Sequence, residues 1–291
     1  MSYISIIASY RNEEESLRKF ISTISKSFKK KQIKKYEIIF VDDYSTDNSL
    51  NILLDEAKKN KKIKIIKMKR RYGHSNSIQA AFENISKNNF SVIIDCDLQD
   101  SPELISKNFN PNEKDTTIHF VRTERKDGLF QKIYSNIAYK ILYLISFGRI
   151  FSNAGYFKIN PPIVTSKIIK DKEYYPYWNY LITKYSKKNK KIFYSRLKRS
   201  KGNSKFSFLS LNPWLTFFGG AYYFKLNYII FLTSIIFLIH FLKKSNYFFN
   251  FEKVLNLGLT LISVNLILFF IYLIFKNKKK KNASTQKLIF K

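Results

Sequence analysis

The sequence predicts an α/β fold with a doubly wound, mostly parallel sheet, followed by a C-terminal hairpin of two transmembrane helices. Between residues 4 and 97, short apolar runs alternate with segments of helical character. This is the order expected of parallel strands joined by crossover helices. Towards the C-terminus, two long runs without charged residues flank a short loop that contains lysine. Their length is typical of helices that cross a bilayer.

Four strands and three helices are expected in the N-terminal part of the chain. The strands are predicted at Ile4–Ser9, Tyr36–Val41, Ile63–Lys67 and Ser91–Ile94. The helices are predicted from Asn12 to about Phe28, over Ser49–Lys58 and over Ser75–Ile85. We expect Asn12 to cap the first helix, with Glu13 in its first turn, and Asp47 to cap the second. Side-chain oxygens of this kind accept hydrogen bonds from the free backbone N–H groups in the first turn of a helix.

Four aspartates follow two of these strands. Asp42 and Asp43 come after the second strand, and Asp95 and Asp97 follow the fourth. Open α/β sheets bind their ligands at the carboxyl ends of the strands, so these side chains are candidate site residues. Because positions i and i+2 of an extended chain share a face, Asp95 and Asp97 could bind one Mg²⁺ or Mn²⁺ ion, with water and phosphate oxygens as its other ligands. The alternative is that the aspartates are ordinary turn residues.

The chain is strongly basic. Its 291 residues contain 52 Lys and Arg against 21 Asp and Glu, a formal net charge of +31. This excess favours an anionic partner, whether anionic lipid, a phosphorylated substrate or nucleic acid, although a biased genome composition would produce the same excess. No nucleic-acid-binding motif is recognisable, so we expect no nucleic acid partner. The single cysteine, Cys96, excludes an internal disulfide, and we expect it to fill space between strands.

The membrane region is predicted over residues 213–275, with spans at about 224–242 and 254–275. Two buried helices of a soluble core are the alternative. Lysine and arginine are concentrated before the first span and in the tail, residues 276–291. Positive charge collects on the cytoplasmic side, so we expect a multi-pass protein of the cell membrane whose N-terminal domain and tail face the cytoplasm. A further helix at about 129–146 has apolar residues at helical spacing, which indicates either a helix on the membrane surface or a core helix.

Five motifs occur in order along the chain. They are SIIASYRNEE (Ser5–Glu14), VDDYSTDNS (Val41–Ser49), RRYGHSNSI (Arg70–Ile78), DCDLQDSPE (Asp95–Glu103) and RSKGNSKF (Arg199–Phe206). In combination they resemble family 2 glycosyltransferases, specifically the branch that makes polyprenyl-phosphate sugars. The resemblance extends over nearly the whole chain. It implies a GT-A catalytic domain over residues 1–212 that uses a nucleotide-sugar donor and a polyprenyl-phosphate acceptor at the bilayer. A homo-oligomer is compatible with it.

The resemblance also implies roles for individual residues. The base and ribose of the donor would contact Asp42 and Asp43, with help from Asn12 and Glu13; His74 is either a further donor contact or a surface residue. Asp95 and Asp97 would hold the metal and the diphosphate, with Gln99 beside them, and these three are the candidate catalytic residues. Phosphate oxygens of donor or acceptor would contact Arg122, Lys132, Ser135, Arg199, Ser204 and Lys205. Arginine binds phosphate through two N–H groups and lysine as a point charge.

The chain departs from the family pattern at two positions. Gln131 stands where several relatives carry a second arginine, and Tyr156 replaces the aspartate of a Gly-Asp-Phe-Arg motif, a candidate base. A phosphate monoester carries about −1.5 to −2 charges at neutral pH, so it can attack a sugar without a base. A hydroxyl acceptor would need one, for which Asp100 or Asp127 could be considered. A non-catalytic protein that binds nucleotide sugar or lipid is the remaining alternative.

Overall fold

The computed structural model describes residues 3–123, 150–171, 178–197 and 287–290, together with isolated helical positions at 139, 140, 143, 260 and 263. Within these residues, no helix has the length and apolar character needed to cross a bilayer. Both predicted spans lie outside the described residues, apart from Thr260 and Ser263. The predicted helix at 129–146 also lies outside them, apart from positions 139, 140 and 143, which are helical.

The described residues form one sheet with helices on both faces. The strands are β1 (Ile4–Tyr10), β2 (Tyr36–Asp42), β3 (Ile63–Met68), β4 (Phe90–Ile93), β5 (Thr116–Arg122), β6 (Ala154–Asn160), β7 (Lys188–Tyr194) and β8 (Lys287–Phe290). The helices are α1 (Leu17–Lys30), α2 (Ser49–Lys59), α3 (His74–Phe82), α4 (Glu103–Asn108), α5 (Pro162–Lys170) and α6 (Trp178–Tyr185). The predicted bounds of the first four strands are confirmed to within one or two residues.

The strand order is β7-β5-β6-β4-β1-β2-β3-β8. Strands β1 to β4 run parallel to one another, and β5 runs parallel to β7. Strand β6 is antiparallel to β4 and β5, and β8 is antiparallel to β3. The doubly wound, mostly parallel α/β sheet is therefore confirmed, with two antiparallel strands that the sequence did not predict. The chain reverses its direction of winding between β1 and β4, which is where such sheets bind ligands.

Apolar side chains cover both faces of the central strands. Phe20 and Phe28 of α1 are fully buried in the cluster on one face. On the other face, Phe82 of α3 stacks on Trp178 of α6 with ring centroids 4.9 Å apart. Every residue of β1 and β2 is buried, which is typical of parallel strands covered on both sides. The loops at the carboxyl ends of these strands therefore start from a rigid base.

The first helix begins later than expected. Asn12 is not its N-cap and Glu13 is not in its first turn, because α1 starts at Leu17. Asn12 instead has a positive φ of 54°, and its side-chain oxygen accepts the N–H of Thr46 at 2.8 Å. A bond to a neighbouring loop has replaced the local helix cap. The predicted cap of the second helix is shifted by one residue: Asn48 is the N-cap, and Asp47, one position earlier, accepts the N–H of Ser49 at 3.0 Å.

Candidate active site

The loops after β1 and β2 are joined into one unit at the carboxyl edge of the sheet. Asn12 donates its backbone N–H to Ser45 Oγ at 3.1 Å and its side-chain N–H to Thr46 Oγ1 at 3.1 Å. Glu13 donates its backbone N–H to Ser49 Oγ at 2.9 Å. The Asn12 amide, which was expected to help hold a ligand, thus makes its observed bonds within the protein. These bonds hold the loop after β1 against the loop after β2, beside Asp42.

Asp42 is a fully buried carboxylate with one unsatisfied oxygen. Its Oδ1 accepts the N–H of Ser45 at 2.8 Å, while Oδ2 bonds to no described residue, and the same is true of the nearby Tyr10 hydroxyl. Burial raises the pKa of Asp42. Burial and the charge of Asp42 also raise the pKa of Tyr10. Buried polar atoms are almost always hydrogen-bonded, so these two atoms indicate a position for a ligand group or water.

Asp43 holds the start of α3. Its carboxylate accepts the N–H of Tyr72 at 2.8 Å and the N–H of Gly73 at 3.0 Å. Gly73 has φ +87° and ψ 159°, a conformation adopted almost only by glycine. His74 follows as the first residue of α3. Asp43 therefore positions the loop that carries His74, and its expected contact with the donor stays a prediction.

Asp95 and Asp97 follow β4 but do not belong to an extended chain. The strand ends at Ile93, and Leu98 has a φ of +60°, so the alternation of a strand does not explain their direction. Burial, and then the charges of Asp95, Glu13 and Asp97, raise the pKa of the buried Cys96 thiol. These three carboxylates therefore lie around Cys96, which is a packed side chain as predicted.

The donor set fits a divalent ion that shares its coordination with a ligand. Among the described residues, no group of three or more His, Cys, Asp or Glu side chains could enclose a metal. Asp95 is partly exposed and Asp97 is 9% exposed. Asp97 also accepts the N–H of Gln99 at 3.1 Å, which fixes the loop. Two carboxylates are sufficient for a Mg²⁺ or Mn²⁺ ion that keeps water and phosphate oxygens as further ligands.

Tyr156, at the position of the lost family aspartate, contacts Asp95 directly. Its hydroxyl donates to the two Asp95 oxygens at 2.9 and 3.0 Å. Burial, followed by the charge of Asp95, raises the pKa of Tyr156 well above its ordinary value, so the phenol keeps its proton. The His74 ring lies 4.9 Å from the Tyr156 ring, and His74 Nε2 is buried without a partner among the described residues. His74 therefore lies against Tyr156 with a buried Nε2 atom, and its contact with the donor stays a prediction.

Asp100 binds three side chains beside this pair. It accepts hydrogen bonds from Arg122 Nη2 at 3.2 Å and from Arg196 Nε at 3.0 Å, and from the hydroxyl of Tyr194. Burial lowers the pKa of Arg122, but the charge of Asp100 raises it overall, so the guanidinium stays charged. Asp100 is only 2% exposed. Its oxygens are occupied by cations and a hydroxyl, which makes it unsuitable as a catalytic base.

Arg196 is a site residue that the motifs did not reveal. It lies 96 positions after Asp100, and its only signal in the sequence is its place in a basic stretch before the membrane region. The next residue, Leu197, donates its N–H to the Gln99 carbonyl at 2.9 Å, so the chain after β7 is tied to the loop of Asp97. Among the predicted phosphate contacts, Lys132, Ser135, Arg199, Ser204 and Lys205 lie outside the described residues.

A doubly wound sheet with an acidic site at its switch point defines a GT-A-like domain. The model of the family described as glycosyl transferase family 2 matches residues 5–163, and the chain belongs to this family. It therefore carries a glycosyl transferase family 2 domain over these residues.

The chain is similar to the uncharacterized glycosyltransferase YkcC of Bacillus subtilis, with 31% identity over 173 residues, which is 59% of this chain and 53% of the relative. It thus spans about half of that curated relative. Glucosyl-3-phosphoglycerate synthase of Mycobacterium tuberculosis with UDP matches 75% of this chain and 80% of its own, at 15% identity and a TM-score of 0.50. The same synthase with Mn²⁺, UDP-glucose and phosphoglyceric acid has a TM-score of 0.47, with 15% identity, covering 75% of this chain and 79% of its own.

Proposed function

We propose that the protein transfers a sugar, with inversion, from a nucleotide sugar to a polyprenyl phosphate at the cytoplasmic face of the cell membrane, for cell-envelope or surface glycan synthesis. The observation that supports this acceptor is that both oxygens of Asp100 are bound by neighbouring side chains. The carboxylate that could have served as a base is bound by two arginines. Asp127, the other candidate base, lies outside the described residues. In the described part of the site, where cations occupy Asp100, the arrangement suits an acceptor that brings its own negative charge.

The donor half of the proposal rests on the loops after β1, β2 and β4. The buried Asp42, with its unsatisfied oxygen, suits an N–H or hydroxyl group of a nucleoside. Asp95 and Asp97 would hold a Mg²⁺ or Mn²⁺ ion, which would stabilise the charge that develops on the leaving diphosphate. Gln99 lies beside them through its backbone bond to Asp97. The crystal structure of the mycobacterial synthase with UDP is a precedent for a nucleotide ligand in a similar fold.

The acceptor half follows from proton chemistry. Tyr156 donates to Asp95 and keeps its proton, so it does not take one from an acceptor. A hydroxyl acceptor needs a base in the transition state, whereas a phosphate oxygen is already ionised. The anionic acceptor would attack the anomeric carbon from the side opposite the diphosphate, and one displacement inverts the configuration.

The location at the membrane is supported by the ends of the chain. The apolar region at 213–275 directly follows the predicted catalytic domain, residues 1–212. The last strand, β8, pairs with β3 of the catalytic sheet. A tail that pairs with the sheet must lie on the same side of a membrane as the sheet, and two spans joined by a short loop meet this requirement.

The test uses the purified full-length chain with undecaprenyl phosphate, Mg²⁺ or Mn²⁺, and a panel of UDP-, GDP- and dTDP-sugars. We expect one donor to give a lipid-linked product with inverted anomeric configuration, and Asp97→Asn to abolish it. If a donor binds but no donor gives a lipid-linked product, the proposal is wrong and a non-catalytic binding protein is favoured. Product on a sugar hydroxyl instead of the lipid phosphate would also overturn it.

A further inference from the structure

Two arginines from distant parts of the chain share one buried carboxylate. Arg122 ends β5 and Arg196 follows β7, and both donate to Asp100. These neighbouring parallel strands carry the two guanidinium groups to the same edge of the sheet. With one negative and two positive charges, the group keeps a net positive charge of one. Asp100 therefore holds one positive charge in excess at a fixed position.

Both guanidinium groups keep donors for a ligand. Arg122 uses Nε on Tyr194 at 3.3 Å and Nη2 on Asp100 at 3.2 Å. Arg196 uses Nε and Nη2 on Asp100, at 3.0 and 3.4 Å. Neither Nη1 group bonds to a described residue. The side chains are 21% and 26% exposed, so a ligand can reach them while Asp100 holds their orientation.

The arginine pair lies next to the proposed metal ligand. Tyr156 bonds to Asp95, and the charges of Asp100 and Arg122 also act on the Tyr156 hydroxyl. Gly155 precedes Tyr156, and a Cβ added there would come within 4.0 Å of Arg122 Nη2. A group bound by the arginines would therefore lie close to the sugar of a donor whose diphosphate is held at Asp95. That is where an attacking phosphate must be.

We propose that Arg196 and Arg122, held in place by Asp100, form the site that binds the phosphate of the acceptor. This inference rests on the proposed function and names a residue for it, Arg196, which supplies the second guanidinium that is missing at Gln131. Two guanidiniums bind the oxygens of one phosphate with defined geometry. Asp100 is a positioning residue in this arrangement, because it orients both side chains without contacting the phosphate.

The experiment compares the full-length protein with Arg196→Gln, measuring KM for undecaprenyl phosphate and KM for the donor separately. Equilibrium binding of undecaprenyl phosphate in detergent micelles, without donor, is measured in parallel. We expect Arg196→Gln to raise KM and Kd for the lipid phosphate about tenfold or more, the usual effect of losing a charged hydrogen bond. The donor KM should change little. Lys190→Gln removes the same charge from an exposed position on β7 and should leave both values unchanged.

The outcomes separate this site from the proposed function. Unchanged lipid-phosphate binding in Arg196→Gln would overturn the site while turnover by the natural protein still supported the function. A rise in the donor KM alone would assign the arginines to the donor diphosphate and also overturn it. Arg196→Lys retains the charge beside Asp100 but loses the two-point contact of a guanidinium with phosphate. We expect this variant to unfold at the normal temperature and to bind the lipid phosphate more weakly, which would show that Arg196 acts in recognition and not in folding. Absence of turnover in the natural protein would count against the function, while the binding measurement would still test the arginines.

Discussion

The hydroxyl of Tyr156 reaches both oxygens of Asp95, so it can fix the orientation of a metal ligand without touching the metal. Groups in this position commonly change metal affinity about 10–100-fold. We expect Tyr156→Phe to weaken Mn²⁺ binding about tenfold in the presence of UDP, measured by electron paramagnetic resonance. Saturating Mn²⁺ should restore most of the turnover.

Tyr185 offers a matched control for this prediction. Its hydroxyl donates to Asp171, so Tyr185→Phe removes the same kind of bond from a different aspartate. We expect this variant to lose stability but to bind Mn²⁺ normally. Equal Mn²⁺ affinity in Tyr156→Phe and the natural protein would show that Asp95 needs no support from the phenol.

Candidate site residues could be predicted only where a local pattern marks them, such as the end of an apolar strand. Asp42, Asp95 and Asp97 were identified because each follows a recognisable strand. Arg196 and its bond to Asp100 were not identified, since 96 positions separate them and their contact depends on the pairing of β5 with β7. The bond of Asp43 to Gly73 was not predicted either, because it depends on the arrangement of two loops.

At the scale of elements, the loop before α3 depends on Gly73. A side chain added there would meet nothing within 4 Å, so the cost of substitution comes from backbone strain at φ +87°. Such strain costs about 1–3 kcal/mol. We expect Gly73→Ala to lower the free energy of unfolding by that amount and to raise the donor KM, because Asp43 would lose its aligned N–H partners. Urea denaturation and steady-state kinetics measure the two effects.

Gly155→Ala provides the comparison for Gly73. Gly155 lies in β6, and its added Cβ would make an ordinary contact at 4.0 Å with Arg122. We expect a smaller loss of stability than at Gly73. An equal loss in both variants would mean that the backbone conformation of Gly73 is not what makes it necessary.

Strand β6 and helix α6 are joined by a buried lysine. Lys158 is 1% exposed, and its ammonium group donates to Asn179 and, at 3.5 Å, to Thr183. Burial lowers its pKa from 10.5 to about 7. Between those pH values the unfolded chain binds a proton that the folded chain does not, so the free energy of unfolding rises with pH across this window. The buried lysine therefore destabilises the fold most below about pH 7, and this destabilisation is relieved as pH rises towards 10.5.

We therefore expect Lys158→Met to flatten this pH dependence. The free energy of unfolding of the natural protein, minus that of the variant, should increase from pH 7 to pH 10 in denaturant titrations. In Lys158→Met the Asn179 oxygen loses its hydrogen-bond partner. This loss changes the free energy of unfolding by the same amount at every pH. Lys190→Met, at an exposed position, should keep the slope of the natural protein; a parallel slope in Lys158→Met would contradict the prediction.

The elements that were predicted well are those with strong local signals. Strands β1 to β4 are apolar runs with charged residues beyond them, and burial on both faces leaves little freedom in their bounds. The start of α1 was wrong because Asn12 bonds to Thr46, a contact across loops that overrides the local capping preference. The mixed part of the sheet was not predicted, since β6 takes its direction from β4 and β5 rather than from its own sequence.

At the scale of the whole molecule, the C-terminal tail returns to the catalytic sheet. Strand β8 pairs antiparallel with β3, with Lys67 opposite Leu288. The sequence predicted a basic cytoplasmic tail but not a strand, because only four residues take part. The pairing covers an otherwise open edge of the sheet. The tail thus gives β3 hydrogen-bonded neighbours on both sides, and β8 becomes the outer strand of the sheet.

This pairing gives a test of the whole arrangement in the membrane. We expect the variant Lys67→Cys with Leu288→Cys to form an intramolecular disulfide on mild oxidation, because residues opposite each other in adjacent strands lie within the range of a disulfide. Lys67→Cys paired with Lys291→Cys, beyond the paired residues, should cross-link less.

The orientation of the predicted membrane hairpin is tested by labelling. A cysteine placed in the loop 243–253 should react with a membrane-impermeant reagent added outside intact cells, while Lys67→Cys should not. If both cysteines react from the same side, the two predicted spans do not form a transmembrane hairpin, and the catalytic domain is held at the membrane in another way.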